Sequence, residues 1–246
     1  MIVSRGPIAC LALLTVAWLV PSIAYAQRTW NVYHDGSGDA PFIQAAIDSA
    51  KDGDTVLVWP GVYEEGAIHC NYKSLVIISA EGPETTSIQN LFVRGRASPP
   101  GNTVTVSGFS FRPVEANYGA FGVSGVQSFT MRECEIRGSP AHCEIFFVAE
   151  LEVSDCRFIE NRDDEHDTLG GGALYVQVPA VPDGGSIRRC QFIDNYSANG
   201  VPGCCYGGGA LNVTVDVGGV DSILRTASFC AMSVRAGELH TLRVAR

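Results

Sequence analysis

Asp155-Cys156-Arg157-Phe158-Ile159-Glu160-Asn161 returns downstream as Arg189-Cys190-Gln191-Phe192-Ile193-Asp194-Asn195. Gly170-Gly171-Gly172-Ala173-Leu174 returns, at nearly the same offset, as Gly207-Gly208-Gly209-Ala210-Leu211. Upstream, Glu133-Cys134-Glu135-Ile136-Arg137 is a degenerate copy at a shorter offset, and Gly108-Phe109-Ser110-Phe111-Arg112 is another. Self-similarity at this spacing marks a solenoid with a basic coil of about two dozen residues, lengthened in places by loops.

Around these copies, the chain after Lys73 consists of short β-type runs broken by Gly, Pro, Asn and Asp. The runs include Leu75–Ser79, Thr103–Val106, Phe129–Met131, Leu151–Val153, Ala173–Val178 and Leu211–Val215. Short strands are compatible with a sandwich, a barrel or a solenoid, and the repeats select the solenoid. Coils stacked about 4.8 Å apart place equivalent side chains in columns. Cys134, Cys156 and Cys190 are therefore expected in one interior column, and Ile136, Phe158 and Phe192 in another. Asn161 and Asn195 fall where the backbone turns a corner and can bond the turn.

The N-terminal part differs. Trp30–Tyr33 alternates as a strand, Asp35–Asp39 is a turn cluster, and a helix is predicted over Pro41–Lys51 with Asp39 as its cap. Phe42, Ile43, Ala46, Ile47 and Ala50 share one face of it. A solenoid end exposes its core, so an amphipathic helix here serves as the cap. A second strand follows at Thr55–Trp59.

The first 26 residues carry Arg5, an apolar run from Ile8 to Val20, and the Ala24-Tyr25-Ala26 cleavage pattern of a secretory signal. The run is too short for a membrane span, and no transmembrane segment is expected after the signal is removed. The chain has 246 residues, is 46% hydrophobic and 17% charged, and carries a formal net charge of −9. That composition supports a packed core, and the acidic balance argues against a nucleic-acid partner. Eight cysteines remain beyond Cys10. An exported chain permits disulfides among them, but spacing alone does not fix their pairing.

Trp30-Asn31-Val32, Asp35-Gly36-Ser37-Gly38-Asp39, Ile43-Gln44-Ala45-Ala46-Ile47 and Gly53-Asp54-Thr55-Val56-Leu57-Val58 with Pro60-Gly61-Val62-Tyr63-Glu64 together resemble the opening of pectin-lyase-like β-helix proteins. The same stretch is similar to the opening of pectin methylesterases. The Phe-Ile-Glu-Asn and Gly-Gly-Ala-Leu copies resemble the FxxN and GGA motifs of polymorphic outer-membrane-protein repeats of bacterial surface proteins. The resemblance implies an all-β right-handed parallel β-helix with a short N-terminal cap helix. It does not settle function, because this fold hosts lyases, hydrolases, esterases and adhesins.

The esterase motifs are incomplete. Asp167-Thr168-Leu169 resembles part of one, but His166 stands where that family has Gln. Asp163, Asp164 and Asp167, with Glu165, form an acidic segment that is a weak candidate for Ca²⁺. It lacks the alternating spacing of an ordered calcium loop, and a solvated insertion is the plainer reading. No catalytic residue is assigned. Trp59, Tyr63, Tyr118, Tyr175 and Tyr206 are aromatic candidates for sugar stacking or for packing.

The organisation expected is a signal over 1–26, cap and first coil over 27–65, coils over 66–217, and a divergent or truncated last coil over 218–246. Roughly eight coils follow from dividing the length by the period. The tail lacks a recognisable cap. The functional expectation is a secreted, periplasmic or cell-surface protein, non-catalytic, for surface display, adhesion or glycan binding. The alternative is a polysaccharide-active enzyme, pectate lyase-like or pectin methylesterase-like.

Overall fold

The computed structural model describes residues 26–96, 101–114, 119–141, 143–163, 172–179, 185–197, 211–216, 226–227 and 237–243. The N-terminal part contributes β1 (Thr29–Val32), helix α1 (Ile43–Ser49), β2 (Thr55–Val58) and the long β3 (Gly61–Asn71). Next come β4 (Leu75–Ser79), β5 (Thr86–Arg94), β6 (Thr103–Ser107), β7 (Ser110–Phe111) and β8 (Phe121–Ser124). The middle is built of β9 (Ser128–Arg132), β10 (Glu135–Arg137), β11 (Cys143–Phe146), β12 (Glu150–Ser154), β13 (Arg157–Ile159) and β14 (Arg162–Asp163). The last part holds β15 (Leu174–Pro179), β16 (Gly185–Ile193), β17 (Tyr196–Ser197), β18 (Leu211–Asp216), β19 (Thr226–Ala227) and β20 (Gly237–Arg243).

Parallel pairing sorts these strands into three walls of a right-handed β-helix of about five turns. The first wall stacks β1, β2, β4, β6, β9, β12 and the start of β16. The second stacks the starts of β3 and β5 with β7, β10, β13 and the end of β16. The third stacks the ends of β3 and β5 with β8, β11, β15 and β18. About five turns replaces the eight expected from length. The later coils are longer than the basic period, and the tail adds strands that run backwards.

Strand alternation puts every second side chain inside. On the first wall Val56, Ile77, Val106, Met131, Val153 and Ile187 form one buried column. On the second, Ile88, Phe111, Ile136, Phe158 and Phe192 form another. Phe158 and Phe192 stack at 4.8 Å between centroids and 5° between planes, as the repeat register predicts. Cys134, Cys156 and Cys190 are all buried and free, in one column. Burial raises the Cys156 pKa, whereas the hydrogen bond from the Cys156 thiol lowers that of Cys190.

In the middle and later coils the first two corners are turned by residues with positive φ. Glu133, Asp155 and Arg189 (51°, 57° and 50°) turn the corner between the first and second walls. Gly138, Glu160 and Asp194 (66°, 52° and 49°) turn the next. Immediately beyond it lies the asparagine ladder. Asn161 Nδ2 donates to Ile136 O (3.1 Å) and to Asn195 Oδ1 (2.8 Å). Its Oδ1 accepts from Ser139 N (2.9 Å), and Asn195 Nδ2 donates to Phe158 O (2.9 Å). The corner role expected for both asparagines holds.

The cap helix is shorter than predicted, and Asp39 does not cap it. The Asp39 carboxylate is taken by Asn31 N, Asn31 Nδ2 and Arg28 instead. The open N–H groups at the helix start are met from another coil, with Ile43 N and Gln44 N donating to Glu65 (2.8 and 3.0 Å). At the other end Lys73 Nζ donates to the carbonyls of Ile47, Asp48 and Ala50. A cation there also complements the helix dipole. Ile43, Ala46 and Ile47 are buried over the first coil, which fits the cap role.

Two described segments of the tail pair with the last coils. β20 runs antiparallel to β16, and β19 runs antiparallel to β18. Both lie on the last parallel strands and occupy edges that would otherwise be open to pairing.

Candidate functional site

The third corner, after the third wall, departs from the other two. In register along the axis its residues are Tyr72, Gly95, Gly125 and Phe147, each following a paired position in the strands. Gly125 has φ of 68°, a conformation that glycine takes without strain. Gly95 has no room for a side chain, because a Cβ there would overlap the Gly125 carbonyl. On either side of the two glycines stand large aromatics in the same left-handed region as Gly125, and the column continues past Phe147 to Val178. Tyr72 has φ of 61° and is 48% exposed, and Phe147 has φ of 52° and is 56% exposed. Glu133, Asp155, Glu160, Arg189 and Asp194 use the same left-handed backbone at the other corners, so what sets Tyr72 and Phe147 apart is the exposed aromatic side chain rather than the φ. Tyr72 and Phe147 stand three coil steps apart, about 14 Å at the usual strand spacing.

The outer flank of the third wall continues the pattern. His69 stacks on Phe92 at 5.6 Å and 26°. Phe146 lies 6.4 Å from Phe147 and 5.3 Å from Tyr175. Between these groups the outward column holds Gly122 and then Glu144. Gly122 presents no side chain, and a Cβ there would come within 3.1 Å of the Phe92 ring. The stretch from Tyr72 to Phe147, here called the saddle, has two glycines at the corner, Arg94, Ser124 and Glu144 along its border, and exposed aromatic side chains on either side. Rings on a flat sheet offer apolar faces to the C–H face of a pyranose, and the rim offers hydrogen-bonding groups to its hydroxyls.

The residues singled out in the sequence are only partly brought together. Asp163 is fully buried on β14, paired with β17, and is not solvated as expected. Asp164 and Asp167 lie outside the described residues, as do Glu165, His166, Tyr118, Tyr206, Cys204, Cys205 and the signal segment. Among the described residues no group of three His, Cys, Asp or Glu side chains is placed to hold a metal ion. Trp59 stacks on Tyr33 (5.2 Å, 10°) at the N-terminal end, with its indole N–H donated to Asn31. Tyr63 is a packing residue. Its hydroxyl bonds Val32 O and Trp59 O, and burial raises its pKa to about 12. Tyr175 is buried against Phe146, beside the saddle.

Sequence reasoning missed Tyr72 and Phe147. The available signal was their alignment with Gly95 and Gly125 at equivalent coil positions, a large residue where glycine is the undemanding choice.

The fold and the site define a capped parallel β-solenoid with an aromatic saddle along one corner. Among the described residues no helix is long and apolar enough to cross a membrane. Comparison with protein-family models, curated proteins and solved structures finds no match.

Proposed function

We propose that this chain is an exported or cell-envelope β-helix protein that binds a glycan in the saddle between Tyr72 and Phe147, without turning it over. The reading places it with pectin-lyase-like folds bearing polymorphic outer-membrane-protein-type repeats, for which the sequence motifs are the support. The observation that carries the proposal is Phe147, a large aromatic residue presented to solvent on a backbone that glycine adopts freely one coil earlier, at Gly125. Packing does not account for it, because more than half of the side chain is exposed.

A neutral polysaccharide series run through affinity electrophoresis, alongside an activity screen on pectins with and without Ca²⁺, tests this. Phe147→Gly is the informative variant. Left-handed backbone costs a non-glycine residue about 1–2 kcal/mol, and glycine's own entropy offsets part of the relief. Stability should therefore stay level or rise slightly while retention by the glycan falls. Unchanged retention in both Phe147→Gly and Tyr72→Ala would remove the saddle as the binding site. Turnover of any pectin would replace this reading with the polysaccharide-active enzyme.

A further inference from the structure

The outer flank of the second wall carries a different chemistry. Ser110, Glu135 and Arg157 are successive members of one column that alternates with the buried Phe111, Ile136 and Phe158, so their side chains point outward. Arg112 and Arg137 flank this column. The Glu135 carboxylate accepts from all three guanidinium groups, at 3.1 Å from Arg112 Nη2, 3.3 Å from Arg137 Nε and 3.1 Å from Arg157 Nη1. Glu135 is nearly covered, while the arginine side chains remain 48%, 35% and 45% exposed. Arg137 also reaches Glu160, whose side chain is 60% exposed. The cluster therefore has more guanidinium than carboxylate, on a chain whose net charge is −9.

Two independent features mark this as more than a charge ladder. Each guanidinium has five N–H donors, and Glu135 has only two oxygens, so most of the converging donors point past it. Beside Glu135, Ser110 is 2% exposed, and its hydroxyl has no hydrogen-bond partner among the described residues. A buried hydroxyl without a partner costs free energy that a ligand oxygen can recover.

We infer that the Ser110–Arg112–Glu135–Arg137–Arg157 cluster is a binding site for a tetrahedral oxyanion, a phosphate or sulfate group. Glu135 holds the guanidinium groups in position, and the ligand's terminal oxygens take the outward N–H donors in charge-assisted, partly bidentate bonds. A tetrahedral group with three terminal oxygens uses such converging donors more fully than a planar carboxylate does. The site lies on a different wall from the aromatic saddle and does not depend on it.

Calorimetric titration of the full chain at fixed ionic strength tests the inference, with inorganic phosphate, glucose 6-phosphate and glucuronate as separate arms. Phosphate and the sugar phosphate should bind, and glucuronate should bind at least tenfold more weakly. Tighter binding of the sugar phosphate identifies an ester on a glycan as the ligand form, and equal binding identifies the free ion; either supports the site. Arg157→Gln should weaken phosphate binding tenfold or more. Ser110→Ala, which leaves every ion pair intact, should weaken it severalfold even if the arginine variant folds poorly. Phe147→Gly should leave it unchanged. Absence of phosphate binding, glucuronate binding equal to phosphate, or full affinity in Ser110→Ala and Arg157→Gln would each overturn the assignment.

Discussion

Replacing Asn161 with alanine should be among the most damaging single changes to this solenoid, and the ladder geometry sets the size. The side chain is wholly buried. It supplies an acceptor to Ser139 N and a donor to Ile136 O, two backbone groups of the preceding coil that are themselves buried. Alanine leaves both without that partner, at about 1–3 kcal/mol each. The Asn195 amide oxygen also loses one donor, although it still accepts from Asn161 N at 3.0 Å. The expected loss is about 3–5 kcal/mol, a large part of the roughly 5–15 kcal/mol typical of a folded domain. Urea unfolding followed by far-ultraviolet circular dichroism measures it. Asn161→Asp separates hydrogen bonding from packing. The aspartate keeps the acceptor for Ser139 N but turns a carboxylate oxygen toward Ile136 O. Burial raises the pKa of such a carboxyl, so this variant should be weak at neutral pH and regain stability relative to wild type on acidification. A loss below about 1 kcal/mol for Asn161→Ala, with no acid recovery in Asn161→Asp, would refute the ladder as a source of stability.

Phe158→Ala should cost about 3–5 kcal/mol, as for a fully buried aromatic, and Phe192→Ala less, because Phe192 is only partly buried; equal, small losses in denaturant melts would contradict the stacked column. Acid should destabilise the wild-type protein through Asp54 and Asp155. Burial opposes the Asp54 charge, but the N–H groups of Lys51, Arg28 and Trp30 outweigh it and lower its pKa, while the Arg189 side chain lowers that of Asp155. Both contributions are complete above the ordinary carboxylate range near about 4 and are lost as pH falls through the lower folded values. The urea midpoint should therefore drop between neutral pH and pH about 3, less steeply in Asp54→Asn; a flat profile counts against these contacts. Asn at 164 and 167 together, with the buried Asp163 left in place, should leave glycan retention intact and alter only the response to Ca²⁺, read by affinity electrophoresis with and without the ion. Loss of a measured depolymerising activity in that variant would instead support the enzyme alternative.

Periodicity in the chain was enough to establish the solenoid, its interior columns and its helical cap. The reason is that stacked coils repeat one environment every turn. A two-residue alternation carried across the repeat copies already assigns Cys134, Cys156, Cys190, Phe158 and Phe192 to the inside and Asn161 and Asn195 to a corner. What the period did not decide was everything that depends on coil length and on contacts between distant segments. Variable insertions made the number of turns about five rather than eight. The helix start is met by Glu65 from a later strand, a partner that no local capping rule selects. Antiparallel pairing of β19 and β20 places the tail against β18 and β16, because open strand edges accept a strand of either direction. The sites depend on long-range packing for the same reason. Tyr72 follows β3 and Phe147 follows β11, with several strands between them in the chain. Arg112, Arg137 and Arg157 come from three successive coils. Only the stacking register brings each set onto one face.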